Sequence, residues 1–136
     1  MTKEELIHEI ALALEDGSIR HYLDLQTLHV VNIPEVSMDF DEDWDKIRAN
    51  PKHYLLIDKV PSQRLLEMMT DFAKTIKNED FRHRLLDALD GSRAFNDFWQ
   101  LVMQQHEYQQ QWYAFKDEFY HEEALTWLLE KLAPGE

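Results

Sequence analysis

Five carboxylates fall between Asp39 and Asp45, with Asp39, Asp41, Asp43 and Asp45 at alternate positions. That spacing matches the first half of a calcium-binding loop. A loop opening at Asp39 needs glycine at position 44 for its sharp bend and a bidentate glutamate at position 50. Trp44 and Asn50 stand there instead, so calcium is not expected. Acids ahead of a helix are accounted for by capping and by the helix macrodipole. His8-Glu9, His106-Glu107 and His121-Glu122 each begin a zincin motif, but Leu12, Gln110 and Leu125 occupy the place of its second histidine. None of them sets two imidazoles on one helical face. His21 and His29 could face each other across a hairpin, yet two neutral ligands make no tetrahedral site. No metal and no cofactor is expected.

Nucleophilic chemistry has as little support. The serines are Ser18, Ser37, Ser62 and Ser92, none lies in a Gly-x-Ser-x-Gly elbow, and there is no cysteine. Gly17, Gly91 and Gly135 are too far apart to build a phosphate-cradling loop. Paired carboxylates carry no weight in so acidic a chain. No catalytic residue is assigned. One local spot opposes the charge trend. Arg82, His83, Arg84 and Arg93 lie around Gly91-Ser92, where a helix is expected to begin. An anion site made by Arg82, Arg84, Ser92 and Arg93 is chemically sensible. The favoured reading pairs these arginines with Asp87, Asp97, Asp117 or Glu118 as surface bridges.

The elements that position these groups follow from periodicity. Thr2 and Glu5 form a capping box ahead of a helix striped by Ile7, Ile10, Ala11 and Leu14. From Ile19 to Ile33 the period changes to two, which predicts a hairpin turning near Asp24 to Leu28. Pro34 closes its second strand. An acidic connector, Glu35 to Asp45, leads to a short helix with Trp44 and Ile47 that stops at Asn50-Pro51. His53 to Ile57 reads as a third strand. Pro61-Ser62 opens a helix carrying Leu65, Met69, Phe72, Ala73 and Ile76. Another runs from about Asp80 to Asp90, and Gly91-Ser92 is expected to cap the next, with Phe95, Phe98, Trp99 and Val102. The last stretch, Tyr108 to Leu132, is one helix or two meeting near His121. The expected fold is α+β in a single domain, residues 1–136, with a small antiparallel sheet packed on a C-terminal helical bundle.

Composition bounds the rest. The chain has 136 residues, 44% of them hydrophobic, and 27 acidic against 14 basic side chains give a net charge of −13. A field of that sign repels phosphate backbones, so general nucleic-acid binding is disfavoured. It suits a basic protein partner. No apolar run reaches a membrane span and no signal pattern opens the chain, so a soluble cytoplasmic protein is expected. The aromatics from Phe81 to Trp127 recur at steps of three or four. Trp99, Trp112 and Trp127 are therefore read as core rather than as a ligand groove.

The segment Ala88-Leu-Asp-Gly91-Ser92-Arg93-Ala-Phe95-Asn-Asp-Phe98 resembles the Gly-Arg-Gly-Ala-Phe-x-x-Phe signature of the uncharacterised bacterial protein family numbered 0158. Trp112-Tyr-Ala-Phe115-Lys-Asp117 resembles that family's Trp-x-x-Phe-Arg-Asp, and Ala124-Leu-Thr-Trp127-Leu128 its closing Trp-Leu. Tyr22-Leu-Asp24-Leu-Gln-Thr27 is similar to its Leu-Asp-x-x-Thr-Gly hairpin, and Met69-Thr-Asp71-Phe72 to its Met-Glu-Asp-Phe helix. Arg93 replaces a family glycine, and Leu28 replaces the hairpin glycine, where leucine resists positive φ. The resemblance implies an α+β bacterial protein and supplies no activity. The leading expectation is a non-enzymatic interaction or regulatory module, monomeric or homodimeric, that turns Asp39, Asp41, Glu42, Asp43 and Asp45 toward a protein partner. The alternatives are a small-anion binder or enzyme at the arginine spot, and a nucleic-acid mimic using the acidic ridge.

Overall fold

The structure, a computed structural model, describes residues 2–16, 19–33 and 41–131. It is α+β, with six α-helices and a three-stranded antiparallel sheet among the described residues. The chain forms two compact units, Met1–Lys59 with Tyr120–Glu136, and Val60–Phe119.

The first unit opens with α1, Lys3–Glu15. Thr2 is its N-cap, and the Thr2 hydroxyl accepts the Glu5 N–H at 3.1 Å, satisfying one of the orphan amides of the first turn. Leu6, Ile7, Ile10, Ala13 and Leu14 are buried along one face. The helix ends at Asp16, whose backbone is extended. Strands β1 (Arg20–Asp24), β2 (Val30–Ile33) and β3 (Tyr54–Leu56) follow, with β1 central in the order β2-β1-β3. His21 and Leu23 are buried on one face of β1, opposite Asn32 and Val30 of β2. Tyr22 points the other way, and the Trp44 ring of α2 (Asp41–Ala49) meets it edge-on at 6.1 Å. A 3₁₀ turn, Pro51–His53, leads from α2 into β3.

The hairpin turn is organised by Asp24. Its carboxylate accepts the Gln26 and Thr27 N–H groups at 2.8 and 3.3 Å, and its carbonyl accepts the Leu28 N–H at 2.7 Å. Closure then requires the left-handed region at the next step, and Leu28 adopts it with φ 59°. A leucine there crowds its Cβ against the following carbonyl at roughly 1–2 kcal/mol. Leu28 is also exposed, so it recovers little through packing.

The second unit comprises α3 (Ser62–Lys74), α4 (Glu79–Leu89), α5 (Ala94–Met103) and the start of α6 (His106–Lys131). Asn78 caps α4 by accepting the Phe81 N–H at 3.0 Å. The expected cap at Gly91-Ser92 is corrected, because the N-cap of α5 is Arg93 and no side chain bonds to the helix start there. The core gathers Met69, Phe72, Ile76, Phe81, Leu85, Phe98, Val102 and Trp112. Phe81 stacks on Tyr108 with centroids 4.3 Å apart.

The C-terminal stretch is one helix, with no break at His121. Tyr120 lies in its first-unit part and is buried. Burial, then the charges of Glu15 and Glu123, push its phenol up from 10.0 to about 12. Folding therefore disfavours the phenolate. Stability is unaffected below pH 10, then falls as the pH climbs from 10 toward 12, because only the unfolded chain ionises easily in that window.

Two outcomes are expected. Leu28→Gly should raise unfolding stability by roughly 0.5–1 kcal/mol in urea titration, the relief of strain exceeding the entropy added to the unfolded chain. Tyr120→Phe should remove roughly 2 kcal/mol of the alkaline stability loss relative to the parent chain. Parallel melts across that pH window would measure it.

Candidate functional site

Among the described residues, Arg82 is the one member of the arginine spot held by a side-chain hydrogen bond. Arg82 is half-buried on the first turns of α4 and donates from Nη1 to the Ile76 carbonyl at 2.9 Å, tying down the α3–α4 connection. Arg84 and Arg93 are exposed, and among the described residues neither forms an ion pair, contrary to the expected surface bridges. Ser92 is exposed and caps nothing. Gly91 has a packing role, since a Cβ there would sit 3.3 Å from the Ala88 carbonyl oxygen.

The acidic ridge falls largely outside what can be placed. Asp39 lies beyond the described residues, and so do the side chains of Asp41, Glu42 and Asp43. Asp45 is exposed and pairs with Arg48 at 3.2 Å. Among the described residues no group of three His, Asp or Glu side chains could hold a metal ion.

His21 and His29 do not face each other. The register pairs His21 with Asn32, while His29 lies at the hairpin end and is exposed. His21 is 5% exposed and its two ring nitrogens are both engaged. Nε2 donates to the Asp16 carbonyl at 2.9 Å, with an Asp16 carboxylate oxygen at 3.6 Å. Nδ1 lies 2.6 Å from the side-chain oxygen Oδ1 of Asn32. Two adjoining cavities, of about 260 and 140 Å³, share Asp16, Ile19 and His21 in their walls.

The aromatics of α5 and α6 give the largest correction. Phe98 and Trp112 are core residues as expected. Trp99, however, is 55% exposed, and Phe95 and Tyr113 are also open to solvent. On α5, apolar side chains cover more of the helix than one contact face can bury. Phe98 and Val102 turn inward, so Phe95, Trp99 and Met103 form a second row at four-residue steps. Tyr113 on α6 closes this row, its hydroxyl donating to the Met103 sulfur at 3.6 Å. Gln109 donates to the Met103 carbonyl at 2.7 Å, and the Lys116 ammonium lies 5.5 Å from the Tyr113 ring centre. The sequence signal was present as two adjacent aromatic pairs, Phe98-Trp99 and Trp112-Tyr113. Neighbours on a helix point about 100° apart and cannot share one inward face.

A profile of the uncharacterised protein family UPF0158 matches residues 1–133. The chain belongs to that family. Over 123 residues it is 33% identical to a UPF0158 protein of Pseudomonas aeruginosa, an alignment spanning 90% of this chain and 79% of that protein. No solved structure matches. Membership of UPF0158 agrees with the motifs read from Tyr22 to Leu128. The left-handed φ of Leu28 falls at the position where the hairpin resemblance implies a glycine. Among the described residues no helix is long and apolar enough to cross a membrane.

Neighbouring residues should therefore respond in opposite ways. Phe98→Ala should cost about 3–5 kcal/mol of stability, the expected loss for a fully buried ring. Trp99→Ala should change stability by less than about 1 kcal/mol. Chemical denaturation of the two variants would read the contrast, and equal losses would place Trp99 in the core.

Proposed function

We propose that this UPF0158 member is a cytoplasmic, non-enzymatic protein-interaction module whose contact surface is the row formed by Phe95, Trp99 and Tyr113. The carrying observation is the exposure of three large aromatic side chains on adjoining faces of α5 and α6. Aromatic residues are enriched at interfaces, and they supply most of the energy where a partner buries them. A soluble chain gains nothing from leaving a tryptophan this open, since the same helix would hold a glutamine or lysine at no cost. The net charge of −13 supports a basic partner, because opposite charge speeds encounter without adding much affinity. In this reading the aromatic row supplies affinity and the acidic field supplies selection. The anion-binding alternative is weaker, because Arg82 is committed to the Ile76 carbonyl.

The test is capture of partners from bacterial cytosol with the full chain and with a Trp99→Ala, Tyr113→Ala double variant. A specific basic partner should bind the parent chain, and its Kd should weaken by more than tenfold, over 1.4 kcal/mol, in the variant. Raising the salt should slow association with the parent. Undiminished capture by the folded double variant would refute the assignment.

A further inference from the structure

We infer that His21 is a proton-operated clasp between the end of α1 and strand β2, fastened when both ring nitrogens carry a proton and released when one gives it up. The inference is independent of the aromatic row, which belongs to the other unit. Geometry comes first. The ring is 5% exposed, and both of its nitrogens face oxygen atoms. Nε2 lies 2.9 Å from the Asp16 carbonyl and Nδ1 lies 2.6 Å from Oδ1 of Asn32. A neutral imidazole donates from one nitrogen and presents a lone pair at the other. In that form one of the two contacts sets lone pair against lone pair. The imidazolium donates from both nitrogens and satisfies both oxygens.

Distance and charge support the doubly protonated ring. A contact of 2.6 Å is short for N–H···O, as bonds from a charged donor are. An oxygen of the Asp16 carboxylate stands 3.6 Å from Nε2. The Asp16 carbonyl lies at the C-terminal end of α1, the negative pole of that helix. A buried cation requires such company. Among the described residues, the charged and titratable groups that share the cavity walls around the ring come from three places. They are Glu9 and Asp16 from α1 and its end, Arg20 from β1, and Asp58 and Lys59 after β3. Strand β2 contributes Val30 and Asn32, neither of which titrates. Arg20 and Lys59 oppose the ring proton, and the three carboxylates favour it.

The clasp has a mechanical meaning because its two ends belong to different elements. Asp16 is the residue at which α1 stops, and Asn32 sits on β2, an edge strand. While the ring is charged, both bonds are made. When a rise in pH removes one proton, the bond it carried becomes a repulsive contact. The end of α1 or the β2 edge then moves off the ring. His21 stands in the wall of both the 260 and the 140 Å³ cavity, so release alters the two together. The fastened form holds at low pH and is lost as the pH climbs.

The test is a titration of the full chain from about pH 5 to 9, which brackets the ordinary histidine range, with the ring nitrogens read by long-range ¹H–¹⁵N NMR. His21→Gln identifies the His21 signals among the seven histidines. Both His21 nitrogens should be of the protonated type at the acid end. Loss of one proton should move the backbone amides of Asp16 and Asn32 with the same midpoint. Asn32 is exposed, so substitutions there should fold, and their effect on the ring identifies it a second time. Asn32→Asp puts a charge on the acceptor and should raise the midpoint by about one pH unit, a tenfold gain in proton affinity. Asn32→Ala removes the acceptor and should lower it by a similar amount. A ring in one protonation state across the whole range would overturn the clasp. So would Asn32 variants that keep the parent's midpoint. Backbone amides of Asp16 and Asn32 that stay still while the ring titrates would overturn it as well, because the Asn32 amide would then simply turn in place.

Discussion

The ring of Phe72 is the contact on which the second unit depends. It comes from α3, and three further rings surround it in edge-to-face arrangements. Phe98 of α5 lies at 6.1 Å, and Trp112 and Phe115 of α6 lie at 5.2 and 5.4 Å. Phe98 and Trp112 also meet each other, at 5.1 Å. Each such pair adds about 0.5–1.5 kcal/mol to the burial of the rings themselves. The geometric consequence matters more than the energy. Once Phe98 and Trp112 point at Phe72, the rotation of each helix about its own axis is fixed. Trp99 and Tyr113, one residue further along, are then turned away by a third of a turn. The exposed aromatic row is thus a by-product of how the core is keyed. That does not make it an accident, because a polar residue at either place would have satisfied the same core.

This keying explains why periodicity misread the aromatics. Spacing of three or four identifies a helical face but does not say which of two overlapping faces turns inward. In α5 the rows Phe95-Phe98-Val102 and Phe95-Trp99-Met103 are both regular, and the choice between them is made by Phe72, a residue distant in sequence. The hairpin was readable because both of its determinants are local, namely the alternation along β1 and β2 and the Asp24 side chain that folds the turn. The left-handed Leu28 was not, since its own preferences argue against that conformation and only the turn imposes it. Arg82 was legible as a cation but not as a clamp. Its reach of six residues back to Ile76 depends on where α3 ends. Ser92 failed as a cap for a similar reason, because the helix start is set by where Phe98 must pack, one residue later than the serine's own preference for capping places it.

The first unit shows the opposite balance. Its sheet is small, and one of the two residues that β1 buries is a histidine. Burying an imidazole without partners costs several kcal/mol, so the fold brings partners to it. One is the carbonyl at the end of α1 and the other is an amide on an edge strand. That requirement fixes where α1 ends relative to the sheet, and it directs the negative pole of the helix at the His21 wall. A lysine or arginine in the last turn of α1 would neutralise this pole, and the sequence supplies Glu15 and Asp16 instead.

The same acidic bias reaches Tyr120, where Glu15 and Glu123 add to burial in holding the phenol protonated. Two buried groups in one unit, His21 and Tyr120, therefore lie beside carboxylates, and neither placement is explained by solubility alone. Solubility requires net charge at the surface, whereas these carboxylates act on a buried ring and on a cavity wall. A chain selected only for a high negative charge would place acids where water screens them best. Here Asp16 and Glu15 also act on buried neighbours, the His21 ring and the Tyr120 phenol.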